Sequence, residues 1–113
     1  MDNENLAMQL IVYSGNAKSQ AMSAIALAKK GDTEQAKERM KESETAMTEA
    51  HKFQTEALQK SFDHPDAGVN MLMAHAQDHL MNAITTQTLA IEFIDLYTKV
   101  EELYRLVKGG YQE

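Results

Sequence analysis

Apolar residues recur at three-four spacing in three long stretches of this chain, the repeat expected of helices that each bury one face. Leu6, Leu10, Tyr13, Ala17, Ala21, Ala24 and Ala28 make the first face and predict a helix over about 4–30. Lys29-Lys30-Gly31 closes it, two cations at the negative helix end and a glycine suited to a left-handed cap. Asp32, with Gln35 three residues on, opens a second helix over about 33–61 whose inward face reads Ala36, Met40, Ser43, Met47, Ala50, Gln54, Ala57. Its other faces carry Glu34, Lys37, Glu38, Arg39, Lys41, Glu42, Glu44, Glu49 and Lys52, a solvated surface. Phe62 to Gly68, with the single proline at Pro65, is the one clear break. A third helix follows over about 70–108, ended by Gly109-Gly110. From Leu89 to Val107 it is apolar on more than one side, wider than one small bundle can cover. The pattern predicts an all-α, antiparallel three-helix bundle that buries the surplus against copies of itself. Gly15, inside the first helix, is expected to mark close helix packing.

Composition narrows the classes. The 113 residues fit a single domain, 1–113. With 11 Lys+Arg against 17 Asp+Glu, the net charge of −6 argues against a nucleic-acid binder. No cysteine is present, which removes disulfides and thiolate chemistry. No apolar run is long enough to span or insert in a membrane, and Met1-Asp2-Asn3-Glu4 does not open a signal peptide, so a cytoplasmic location is expected.

One cluster carries chemistry: His75-Ala76-Gln77-Asp78-His79, early in the third helix. His75 and His79 are four apart and share a face. A neutral imidazole keeps a lone pair that can attack a phosphoryl group, and the first turns of a helix favour the resulting anion. His at i and i+4 beside a carboxylate is also workable for Zn²⁺, and two surface histidines are the plainest account. Spacing leaves these three open. Met71, Ala74, Asp78, Met81, Thr85 and Leu89 form a second stripe, so Asp78 shares a seam with apolar neighbours.

Met71-Leu72-Met73-Ala74-His75-Ala76-Gln77-Asp78-His79-Leu80-Met81 resembles the helix-three signature of the lactose/cellobiose-specific enzyme IIA components of the bacterial phosphoenolpyruvate-dependent sugar phosphotransferase system. Gly15-Asn16-Ala17-Lys18-Ser19, Gly31-Asp32 and Ala50-His51-Lys52-Phe53-Gln54-Thr55 resemble that family's Gly-x-Ala-Arg-Ser, first turn and Ala-His-x-x-Gln-Thr, in the same order. The resemblance implies a homotrimer and a phosphotransferase component that takes a phosphoryl group from the phosphocarrier HPr on His75 and passes it to a cysteine of enzyme IIB. The sugar, a β-disaccharide of the cellobiose, chitobiose or lactose type, would not be bound directly. It also implies that Asp78 of three subunits shares one divalent metal ion, Mg²⁺ being the expected one, with no organic cofactor. His79 and Gln77 would orient the phosphoryl group. Three features depart from the family pattern: Lys18 stands for its arginine and lacks the planar fork, 61–70 is shortened, and Ala74 replaces a larger aliphatic. His51 is expected to be structural, His64 solvated, and the methionines at 40, 47, 71, 73 and 81 to serve core and docking surface. The competing functions are a noncatalytic trimeric helical adaptor and a His/Asp metal-binding bundle.

Overall fold

A computed structural model describes residues 1–68 and 70–110; Val69, within the connection expected over 61–70, and residues 111–113 lie outside the described residues. Three α-helices run up, down and up: α1 (Asn3–Lys29), α2 (Thr33–Asp63) and α3 (Met71–Gly110), with one 3₁₀ turn, Pro65–Ala67, before α3. The rod measures 73 × 17 × 17 Å. No helix among the described residues is long and apolar enough to cross a membrane.

The ends follow local chemistry. The carboxylates of Asp2 and Asp32 accept hydrogen bonds from the backbone N–H groups of Asn5 (2.8 Å) and Gln35 (3.2 Å), and the Asn70 side-chain oxygen accepts from Met73 N–H at 2.8 Å. At the end of α1, Gly31 takes φ +88°, its N–H bonds Ala28 O, and Asp32 N–H bonds Leu27 O, so orphan carbonyls are satisfied before the chain reverses. Gly109 and Gly110 behave differently from expectation. Neither has a positive φ, and α3 runs through both rather than stopping before them.

Every residue of the expected α1 and α2 faces is buried except Tyr13 and Gln54, which are half-buried. Most of the buried apolar residues are alanines, joined by Leu6, Leu10, Met40, Met47, Leu80 and Ile94. Small side chains let the helix axes approach. Helix α1 packs closely along both partners, whereas α2 and α3 approach each other less closely. Ser43 ties all three together: its hydroxyl donates to Ala17 O (2.7 Å) and accepts from the Gln87 amide (3.0 Å).

Gly15 is not a close-packing residue within the chain, because a Cβ placed there meets no heavy atom within 4 Å. The surplus apolar face of α3 is present as expected. Only Ala90 and Ile94 are buried between Leu89 and Val107, while Leu96, Val100 and Leu103 are all more than half exposed. Gly31, in the α1–α2 turn, lies beside the Glu101 carboxylate, so the exposed stretch Glu102–Gly110 projects beyond the other two helices.

Candidate functional site

Asn70 caps α3 and sets His75 one turn further in, with His79 a turn beyond it. The two rings meet edge to face, centroids 4.6 Å apart at 89°, with Nε2 to Nε2 at 3.1 Å. His75 is exposed and His79 half-buried. A nitrogen–nitrogen contact of this length needs one Nε2–H and one Nε2 lone pair, so one proton is held between the rings. If His79 donates, the lone pair of His75 Nε2 is held toward it; if His75 donates, its own lone pair lies on Nδ1. Either way His79 fixes the tautomer of an accessible imidazole.

The other members of the cluster point elsewhere. Asp78 is exposed, and one carboxylate oxygen accepts a long hydrogen bond from the Asn82 amide at 3.4 Å. Gln77 does not reach the histidine pair: its carbonyl oxygen accepts from the Gln54 amide (3.2 Å), its own amide contacts Met73 Sδ (3.8 Å), and Gln54 Oε1 lies 3.3 Å from His51 Nδ1. Two residues along a helix turn the side chain by about 200°, which carries Gln77 to the flank packed on α2. Gln54, read from the sequence only as part of the α2 face and of its motif, is therefore a second link between α2 and the reactive helix beside Ser43–Gln87. Its spacing of three from His51 was the available signal. Among the described residues no three His, Asp or Glu side chains are placed to hold a metal ion, so His75, Asp78 and His79 do not form the single-chain metal site of the bundle alternative.

His51 and His64 are both exposed. His64 lines a cavity of about 300 Å³ with Asp2, Lys60, Ser61, Asn70 and Met73, under the start of α3. Lys18 is remote from the cluster. Ala17 and Gln87 share Ser43, and Gly31 faces Glu101, so each α3 residue is level with the α1 residue seventy positions earlier. His75 is thus level with residue 5, and Lys18 lies thirteen residues lower, about 20 Å at 1.5 Å per residue.

Comparison with known proteins places the chain among close relatives. The family described as "PTS system, Lactose/Cellobiose specific IIA subunit" matches residues 5–98. The lichenan-specific phosphotransferase enzyme IIA component of Bacillus subtilis is 42% identical over 99 residues, spanning 88% of this chain and 90% of the relative. The crystal structure of the cellobiose-specific enzyme IIA of Bacillus anthracis superposes with a TM-score of 0.83 at 48% identity, covering 90% of this chain and 94% of that one. The IIA(chitobiose) of Escherichia coli, solved in solution in complex with HPr, gives a TM-score of 0.70 at 36% identity over 89% and 98% of the two chains.

Proposed function

The chain belongs to the lactose/cellobiose-specific IIA family of phosphotransferase-system components, and from that premise we propose that His75 is its phosphoryl carrier, loaded by phospho-HPr and unloaded onto a cysteine of a cognate enzyme IIB. The observation that carries this reading is the exposed His75 ring held by His79 at 3.1 Å. In loading, a lone pair of His75 attacks phosphorus in line, the bond to the donor breaks, and its electron pair leaves with the donor. With His79 as the donor of the pair and His75 Nε2 as the attacking nitrogen, the His79 N–H then turns to a phosphoryl oxygen, so the proton that fixed the tautomer stabilises the charge there. In unloading, a thiolate attacks phosphorus and the electron pair returns to His75. The Gln77–Gln54–His51 chain holds the reactive helix against α2 while partners exchange.

The related proteins are named as lichenan-, cellobiose- and N,N'-diacetylchitobiose-specific components, which supports a β-disaccharide pathway in which sugar is bound elsewhere. The unpartnered apolar face of α3 supports a homotrimer. Asp78 lies on that face with one oxygen free of the Asn82 contact, and three such carboxylates would suit a hard divalent ion such as Mg²⁺, which neutralises their mutual repulsion. The proposed setting is the cytoplasm. Incubation with phosphoenolpyruvate, enzyme I and HPr, read by intact mass and peptide mapping, tests the reading: one phosphoryl group per chain on His75 is expected, none on His75→Ala. Phosphate mapped to His51 or His79, or none at all, overturns it and favours the adaptor.

A further inference from the structure

Helix register determines which side chains of neighbouring copies can meet. Since α3 tracks α1 at an offset of seventy residues, Lys18 is level with Thr88, and Glu92 lies one turn further along. Lys18 is the only charged side chain of α1 between Glu4 and Lys29. Glu92 is the only formally charged one of α3 between Asp78 and Asp95. Both are exposed, and neither takes part in the ion pairs found within the chain among the described residues. Glu92 is two residues from each of Ala90 and Ile94, which pack with Ala21, Ala24 and Ala28 of α1. At 100° per residue it therefore projects from the side of α3 turned away from α1, and the body of α3 separates it from Lys18 of its own chain. Uncovered apolar side chains lie along both helices: Met22 one turn from Lys18 with Met8 and Val12 earlier on α1, and Leu89 and Phe93 beside Glu92 with Met81 earlier on α3, each 41–59% exposed, while Thr88 and Asp95 are the polar neighbours of Glu92.

We propose that these two flanks meet between copies of this chain, with Lys18 of one subunit paired to the partner subunit's Glu92. The proposal rests on the homotrimer of the preceding section. A rotation axis parallel to the helices leaves every height unchanged, so the partner's Glu92 arrives one helical turn from Lys18, about 6 Å along the axis and within the span of an extended lysine. A lone charge enclosed by apolar side chains is penalised unless an opposite charge joins it, and here each flank supplies one charge of opposite sign. The pair also sets vertical register, because two uniformly apolar stripes could slide past one another by a turn. It gives Lys18 a role that its distance from His75 otherwise denies it.

The chain's lack of cysteine makes the test direct. Lys18→Cys/Glu92→Cys in the full chain, treated with a short bis-maleimide cross-linker that spans the axial and lateral offset and run on a denaturing gel, should give covalent species of two and three chains, whereas each single variant stays at one. In parallel, Lys18→Glu should weaken association about tenfold at low salt, three pairs of surface-pair strength turning repulsive, and Lys18→Glu/Glu92→Lys should return it to within about threefold. Circular dichroism checks that each variant keeps its helix. A bis-maleimide-treated double-cysteine protein that stays at one chain, or a charge swap that fails to restore association, overturns the pair. Light scattering of the unmodified protein separates the two levels: three chains without cross-links sinks the pair alone, and one chain sinks the trimer and the pair together.

Discussion

Two buried serines give opposite predictions for the same substitution. Ser43 and Ser14 are both fully buried. Ser43 Oγ donates to Ala17 O at 2.7 Å and accepts from Gln87 at 3.0 Å, whereas Ser14 Oγ has no hydrogen-bond partner among the described residues. Ser43→Ala deletes two buried hydrogen bonds and leaves the half-buried Gln87 amide without its acceptor, a loss of about 2 kcal/mol. Ser14→Ala removes an unpaired hydroxyl and gains about 1 kcal/mol. Alanine's helix preference adds about 0.5 kcal/mol to both. The net expectations are about 1.5 kcal/mol of destabilisation for Ser43→Ala and about 1.5 kcal/mol of stabilisation for Ser14→Ala, from the two terms together. Urea unfolding followed by circular dichroism, at one fixed protein concentration and with a common m-value, reads both. Two shifts of the same sign would refute the reasoning, since it rests entirely on one hydroxyl being partnered and the other not.

Gly31→Ala forces a side chain onto φ +88° and toward the Glu101 carboxylate 3.5 Å away, and should cost about 1–2 kcal/mol in the same denaturation assay. Asn70→Ala removes the cap of α3 and should cost about 1 kcal/mol. His79→Ala frees the His75 ring to rotate and should slow phosphorylation of His75 in a timed mass assay without changing the final extent. Asp78→Leu should give a trimer at least as stable as the parent and indifferent to chelator in thermal unfolding, because it removes both the repulsion and the desolvation of three carboxylates. A chelator without effect on the parent, combined with dissociation of Asp78→Leu, would refute the shared ion and leave the Asp78 carboxylate supporting association by another contact.

The helices were legible because each inward face repeats at the α-helical period and each turn carries its own stop signal, as Lys29-Lys30-Gly31 and Asp32 show. The histidine pair was legible for the same reason, being one turn apart on an exposed flank. Gln77 was not, because a motif read as a string hides the half-turn that separates alternate residues on a helix; its amide follows α2 rather than the histidines. Gly15 misled because a sequence does not say whether a helix face meets its own chain or open space. The contrast between Ser14 and Ser43 depends on which helix lies opposite each hydroxyl, a tertiary fact that local pattern does not encode.

The alanine core sets how the protein should respond to dilution. An alanine contributes one methyl to the interior, so twelve of the eighteen buried hydrophobic residues bring little apolar area each, while Leu96, Leu103 and Leu106 stay outside. A lone chain of this build is weakly stabilised for its length, so with the proposed trimer folding and association become one equilibrium. Its unfolding midpoint should climb with the logarithm of protein concentration. In a cell, scarcity of the subunit would then lower not only the number of chains but the folded fraction among them, leaving chains made at low expression open to proteolysis rather than held as idle monomers.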